Sequence, residues 1–492
     1  MKNTIIGRVQ EKSCLETRLN SERPEFLAIY GRRRVGKTFL IHEFFKDKGI
    51  LFEFTGSKQS SNEIFLARFC TEISYKFYKG ENNIQADTWE DCFKKLKTAI
   101  DTTMKEKPKE KIIIFIDELP WIAQNSPEFM GSLDFYWNRY FSKSKYHQLF
   151  LIVCGSAATW MLDNIINNTG GLYNRITQKI KLLPFTLKES CEYLKARKIF
   201  FDQKELTELY MAIGGVPYYL SLVEQGKSVP QTINELCFKP QGYLVDEFEL
   251  VYKSLFKKYQ NHLKIVRALA TVKKGMTRNE LLKKAGIPNG GSASQFLGEL
   301  ESSGFILKTP SWGKKKKETI FRLYDEYSLF YLNWIEPVAD KLTKHAKENY
   351  WLQTYGSQAW YAWAGCAFEG VCIKHVDTII HALGISGILN YTAGWRYTPP
   401  KNSDERGVQI DLLIDRGDKA INICELKFSD KEYKISKDYK VALQYKKSCF
   451  RTKTNIKHPT FLTMITCFGA KEDYNYIGTV DNQITLEALF AI

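Results

Sequence analysis

The chain is short of acids relative to bases, has no closely spaced cysteines and has no long apolar run. Each shortage excludes something. Over 492 residues, Asp and Glu number 55 against 71 Lys and Arg, a formal excess of 16 positive charges, and the pI is near 9.1. Such an excess favours anionic partners such as nucleic acid, or serves solubility alone. The eleven cysteines are scattered, with no C-x-x-C pair and no Cys/His set of zinc spacing, so they read as buried or idle thiols in a reducing cytoplasm. No apolar stretch approaches the ~20 residues of a membrane span, and no signal-peptide pattern opens the sequence. The expectation is a soluble cytoplasmic protein with no membrane partner. The composition, 44% hydrophobic and 26% charged, is ordinary globular material, and the length suggests about three or four domains.

What is present begins with a phosphate-binding pattern. Gly31, Arg32, Arg33, Arg34, Val35, Gly36, Lys37 and Thr38 read G-x-x-x-x-G-K-T. An apolar, strand-like run (residues 26–30, FLAIY) precedes them, and a helix-like run opening at Phe39 follows. A strand, a glycine turn and a helix start aim backbone N–H groups and the positive helix end at one point, which suits a polyphosphate. Nucleotide contacts are expected along this loop and at Phe39. Lys37 would reach the β- and γ-phosphates, and the Thr38 hydroxyl would ligate Mg²⁺.

A second apolar strand (residues 112–116, IIIFI) ends in Asp117 and Glu118. Charge at the carboxyl end of a buried strand is costly unless it has a task, and parallel sheets place ligands there. Asp117 would hold Mg²⁺ through water, and Glu118 would orient and deprotonate the attacking water. Residues 101–111, charged and Pro-containing, read as a solvated loop before this strand. A third strand (residues 149–154) ends in Gly155-Ser156, whose hydroxyl reads either as a γ-phosphate sensor and water-positioning group or as a strand-end turn residue. Arg175 reads either as an arginine finger or as a surface ion-pair partner. A finger acts within its own chain or across a homo-oligomer, and both arrangements stay open.

The order of the GRRRVGKT loop, the IIIFIDEL strand, CGSA, the segment from Arg175 to LLPF, and Gly214-Gly-Val-Pro217 resembles an archaeal and bacterial P-loop ATPase family of the AAA+/STAND group. The resemblance spans roughly the first half of the chain. It implies an α/β core with a parallel sheet and a helical lid, with ATP and Mg²⁺ as ligands. Residues 6–11 (IGRVQE) resemble that family's GRxxE motif, which places Arg8 beside the adenine. The G-x-P segment ending at Pro217 would contact the nucleotide from the lid.

Residues 186–255 have helical periodicity and few strand signals, as a lid should. Residues 262–270, a segment opening at Met276 with Thr277 and Glu280 in capping-box spacing, and residues 292–300 then read as three helices. Residues 305–307 and 319–323 read as strands flanking Lys314, Lys315, Lys316 and Lys317. That order resembles a winged helix-turn-helix over 256–338. Ser292, Ser294 and Gln295 would lie near a DNA groove and the four lysines on phosphates; the other reading is an internal packing module.

In the last stretch, 339–492, residues 408–415 and 420–428 read as a strand hairpin. Glu425 and Lys427 are two apart and so share a face. An odd number of loop residues would set Asp411 opposite Glu425 on that face. Carboxylate oxygens suit Mg²⁺, and an ammonium stabilises charge developing on phosphate. A salt bridge on a solvent-facing hairpin would give the same letters. The D-(x)n-E-x-K spacing is similar to the PD-(D/E)xK nuclease superfamily, although Ile410 rather than Pro precedes Asp411. The resemblance implies a restriction-endonuclease-like α/β domain that hydrolyses phosphodiesters with Mg²⁺ on Asp411 and Glu425. It adds Glu369 on a preceding helix as a further metal ligand and Gln444 as a supporting residue. Two functions are therefore expected as alternatives: an ATPase (residues 1–185) governing a DNA nuclease, or a nucleotide-gated DNA-binding or signalling switch whose nuclease-like domain is inactive.

Overall fold

The computed structural model describes residues 4–167, 171, 174–272, 274–313, 319–339, 349–400 and 402–491. They divide into two compact units, Met1–Pro184 and Phe185–Ile492.

In the first unit, strands β1 (Glu25–Tyr30), β2 (Ile50–Thr55), β3 (Ile112–Asp117), β4 (Leu149–Gly155) and β5 (Gln178–Lys181) form one sheet in the order β2-β3-β4-β1-β5, with every pairing parallel. β3 and β4 are buried at every residue, because helices cover both faces and the strands must be apolar on each. Alternate residues therefore enter different cores. Ile112, Ile114 and Ile116 meet Phe52, Phe69 and Trp89, on the side of α3 (Asn62–Tyr78) and α4 (Trp89–Glu106). Ile113 and Phe115 of β3, and Phe150, Ile152 and Cys154 of β4, meet Leu40, Ile41 and Phe45 of α2 (Lys37–Phe45), beside α1 (Val9–Leu19). By the period of two, Asp117 and Ser156 continue the face that packs on α2.

One expectation here is corrected. Residues 101–106 are the end of α4 rather than loop. Asp101 pairs with Lys97 and accepts from Tyr146 Oη at 2.7 Å, and Thr103 is buried, so tertiary partners carry the helix on towards Pro108.

The second unit holds a helical stretch, a small sheet with three helices, and a larger sheet, all joined to one core. The first part includes α8 (Leu187–Ala196), α9 (Gln203–Ile213) and α10 (Pro217–Ser221), numbered after α5 to α7 of the first unit (Leu119–Asn125, Pro127–Tyr136 and Ala158–Met161). Next come α11 (Val229–Cys237), α12 (Glu247–Leu255) and α13 (Tyr259–Ala270). Then β6 (Met276–Thr277), α14 (Arg278–Ala285), α15 (Gly291–Ser302), β7 (Ile306–Thr309) and β8 (Ile320–Leu323) follow. Thr277 caps α14 reciprocally with Glu280, as the capping-box spacing predicts. The three strands lie in the order β6-β8-β7, with β7 and β8 an antiparallel hairpin. Lys314, Lys315, Lys316 and Lys317, between them, lie outside the described residues.

The larger sheet has the order β13-β12-β11-β10-β9, with β9 (Asn390–Tyr397), β10 (Val408–Arg416), β11 (Ala420–Lys427), β12 (Thr460–Thr466) and β13 (Asn482–Thr485). α16 (Glu326–Phe330), α17 (Tyr350–Thr354), α18 (Gln358–Lys374) and α19 (Val376–Ala382) precede it, and α20 (Lys437–Thr454) follows β11. α18 supplies Ala364, Ala367 and Phe368 to the core that includes Cys424 and Leu426. α20 supplies Leu443 and Phe450 to the core that includes Ile421 and Ile423. Among the described residues no helix is long and apolar enough to cross a membrane.

Candidate functional site

In the first unit, the glycines and the strand order together build a phosphate cradle. At Gly31 (φ +154°) a Cβ would lie 2.2 Å from the Leu182 carbonyl oxygen, and Gly36 (φ +88°) turns the chain into α2. Only glycine permits both the close approach and the left-handed turn. Lys37 is 5% exposed, and its ammonium donates to the carbonyls of Gly31 (2.9 Å) and Arg32 (3.0 Å) and to Ser156 Oγ (2.9 Å). The lysine is thus held over the loop.

Because β4 lies between β1 and β3, Ser156 stands between the lysine of one and the acids of the other. Ser156 Oγ donates to Glu118 Oε1 at 2.5 Å and its amide to Glu118 Oε2 at 3.3 Å. Asp117 accepts from Thr38 Oγ1 at 2.6 Å and from the Glu118 amide at 2.9 Å. Glu118 has a left-handed backbone (φ 48°), a sparsely populated conformation that recurs where a side chain is aimed for function. Lys37, Thr38, Asp117, Glu118 and Ser156 therefore form one connected network. A hydroxyl and a carboxylate oxygen side by side suit Mg²⁺, which keeps most of its waters beside a nucleotide.

Around this network the expected ligands differ in what they do. Arg32 and Val35 are buried, Arg34 is half-buried, and Arg33 and Phe39 are exposed. Arg8 is buried with a left-handed backbone and donates to the Val35 carbonyl at 3.1 Å, so it braces the loop. Arg175 is exposed in the turn before β5 and is not brought to the network. β5 starts with Gln178 opposite Leu27, four residues before Gly31, which is about 13 Å at a strand rise of ~3.3 Å. Arg175 is in the turn ahead of Gln178. In the second unit Pro217 opens α10. Gly215 ahead of it fits against the Phe185 carbonyl, which a Cβ would approach to 1.9 Å.

The larger sheet of the second unit builds a second site. Leu412 pairs with Cys424 and Arg416 with Ala420, leaving a three-residue loop. The β10–β11 pairing stops at Leu412, one residue short of Asp411, where β10 is irregular between Ile410 and Leu413. Asp411, Glu425, Lys427 and, from α18, Glu369 line one open cleft of about 1120 Å³. Glu425 is 8% exposed and has Lys427 at 3.0 Å; Lys446 and Tyr439 of α20 also bond it. Burial alone would raise the Glu425 carboxyl, but Lys446 and Lys427 beside it outweigh that and hold it at about 2. Burial, and then the nearby Asp411, push the Glu369 carboxyl up to about 7.

Asp411 accepts from Arg322 at 2.8 Å and from Gln409 Nε2 at 2.6 Å. Among the described residues no three His, Cys, Asp or Glu side chains stand grouped as metal ligands. The donor chemistry nonetheless fits a hard divalent ion. Three carboxylates, Glu369, Asp411 and Glu425, share one cleft, and oxygen donors of that kind suit such an ion.

Sequence reasoning missed Arg322, Tyr439 and Lys446. Tyr439 and Lys446 are two helical turns apart and share a face of α20, a signal that was available. Arg322 gave none. Gln444 is exposed and does not line the cleft, and Asp415 of β10 accepts from Trp312 Nε1 at 2.9 Å.

Residues 6–223 match the family model of an ATPase domain found predominantly in Archaea. An uncharacterized protein of Methanocaldococcus jannaschii is 23% identical over 441 residues, 89% of this chain and 90% of its own length. An uncharacterized ATP-binding protein of the same archaeon is 42% identical over 46 residues, 9% of this chain and 78% of that protein. Among solved structures, the Walker-type ATPase of Pyrococcus abyssi superposes with a TM-score of 0.50 at 16% identity, covering 67% of this chain and 97% of that one; the likeness is one of fold. An ATPase-type function is supported for the matched region.

Proposed function

We propose that the protein binds and hydrolyses ATP at the P-loop and that its C-terminal cleft cleaves DNA phosphodiesters with a divalent metal. The observation that carries the first half is the Lys37–Ser156–Glu118 chain of hydrogen bonds, which ties the phosphate-binding lysine to the carboxylate that would act on water. Lys37 binds the β- and γ-phosphates. Glu118, aimed by Ser156 and by its own left-handed backbone, takes the proton of the attacking water. Thr38 and Asp117 would hold Mg²⁺, which supplies charge neutralisation on the phosphates. Arg175, in the turn before β5 and with no bond to this network, would serve as a finger on the nucleotide of a second copy.

The second half rests on the four-residue convergence at the cleft. Asp411, Glu425 and Glu369 would hold the metal, whose chemistry is to activate water and neutralise phosphate. Lys427 would stabilise charge on the scissile phosphate, and the Lys446–Tyr439 pair keeps Glu425 ionised and fixed. The helices and hairpin over 256–338 have the element order of a winged helix and would bring DNA through the four lysines of the hairpin. One observation favours a second reading, a nucleotide-gated switch whose cleft no longer cuts: Asp411 and Glu425 are both already matched by cations of the chain.

The test is ATP turnover and DNA cleavage with Mg²⁺ or Mn²⁺ on wild type, Glu118→Gln and Asp411→Asn. Glu118→Gln should retain ATP binding and lose at least about 100-fold in turnover. Asp411→Asn should retain turnover and lose cleavage. Equal hydrolysis by Glu118→Gln and wild type removes the base assignment, and absence of cleavage by wild type on any DNA form selects the switch.

A further inference from the structure

The Arg322–Asp411 pair crosses between two sheets. Arg322 belongs to β8 of the three-stranded sheet, whereas Asp411 is on β10 of the five-stranded one. The side chains are 13% and 23% exposed, and the contact is 2.8 Å. The guanidinium is otherwise weakly committed, since Arg322 Nε is buried with no hydrogen-bond partner among the described residues. Its aliphatic stem is nevertheless fixed. Gly275 (φ +71°) lies so close that a Cβ there would sit 2.8 Å from Arg322 Cγ.

The hairpin that carries Arg322 is also seated on the larger sheet. Gly394 of β9 donates to the Pro310 carbonyl at 3.1 Å and accepts from the Trp312 amide at 2.9 Å, and the Trp312 indole donates to Asp415 of β10. A cation from one module is thus delivered to the carboxylate of another by a docked hairpin.

A metal ion needs the same carboxylate. Mg²⁺ sits about 2.0–2.1 Å from a ligand oxygen, and a guanidinium on that oxygen would stand beside it in a partly buried cleft, where like charges repel strongly. Resting on the reading of the cleft as a metal site, we propose that Arg322 is the resident competitor of the metal. It holds Asp411 until a divalent ion displaces it, so that loading the cleft and freeing β8 from it are one event. By linkage, whatever seats the hairpin weakens metal binding, and metal binding loosens the hairpin to the same degree.

The experiment is calorimetric titration of the full chain with MnCl₂, in an Asp117→Asn background that removes the carboxylate expected to hold a metal at the P-loop. Wild type at position 322 is compared with Arg322→Ala and Arg322→Gln, and Asp411→Asn defines which binding belongs to the cleft. Both position-322 variants should bind Mn²⁺ at the Asp411-dependent site at least about tenfold more tightly, the order expected for removing one hydrogen bond to a charged group. Arg322→Gln keeps a polar side chain against Asp411 should the alanine variant fail to fold. Asp411-dependent binding of unchanged or lower affinity overturns the competitor and leaves the metal cleft standing. No Asp411-dependent binding in any variant overturns the metal cleft itself, and the competitor with it.

Discussion

Replacing Ser156 with Ala removes one hydroxyl that touches both ends of the proposed hydrolytic network. That hydroxyl accepts from the Lys37 ammonium at 2.9 Å and donates to the Glu118 carboxylate at 2.5 Å. A hydrogen bond to a charged group contributes about 1.5–3 kcal/mol. Glu118 would keep only its longer contact to the Ser156 amide, at 3.3 Å, whereas Lys37 would keep both loop carbonyls. The loss should therefore fall on the base. About 2 kcal/mol of lost positioning is roughly 30-fold in rate, and ATP affinity should change less than about threefold. Phosphate release measured against ATP concentration, beside direct equilibrium binding of nucleotide, separates the two. Turnover within about threefold of wild type would refute the role of Ser156. So would an affinity loss as large as the loss of turnover, because the hydroxyl would then act on binding.

Two further outcomes follow from the same geometry. Glu369 is raised from 4.5 to about 7, by burial and then by Asp411. An acid so raised stabilises the fold fully while protonated, below pH 4.5, and that contribution is lost as pH climbs through about 7. Glu369→Gln should therefore match wild type near pH 5 and exceed it near pH 8 by up to ~3 kcal/mol, read as a shift in urea midpoint; the same difference at both pH values contradicts the placement of this carboxyl. Gly31→Ala would drive a Cβ into the Leu182 carbonyl at 2.2 Å. It should cost at least about 2 kcal/mol by thermal denaturation and abolish nucleotide binding, so wild-type stability and affinity would show that the loop is not closed on β5 as described.

How much of this was legible in the sequence depended on how local the signal was. The P-loop is contiguous, and its strand, turn and helix all speak within twenty residues, so it could be read outright. The contact of Thr38 with Asp117 follows from alternation along β3, once one knows which core α2 covers. Ser156 was ambiguous because its meaning comes from strand order, with β4 between β1 and β3, and no property of the CGSA run encodes that. The C-terminal hairpin was readable because its three-residue loop fixes the pairing of β10 with β11 from Arg416 to Leu412, whereas the irregularity beside Asp411 gave no signal. Arg322 lies 89 residues from Asp411 in an unremarkable strand, and only the docking of one sheet on another gives it a role. Residues 101–106 failed the other way, since charge suggested solvent while Asp101 and Thr103 had tertiary partners.

The most direct test of two separate phosphate sites in one chain is a crossed pair of variants, each assayed for ATP hydrolysis and for DNA cleavage with Mn²⁺. Lys37→Ala should lose nucleotide binding and turnover. Lys427→Ala should hydrolyse ATP at the wild-type rate and leave DNA intact where wild type cuts it. Cleavage by Lys427→Ala equal to wild type, or ATP turnover surviving in Lys37→Ala, would contradict the account.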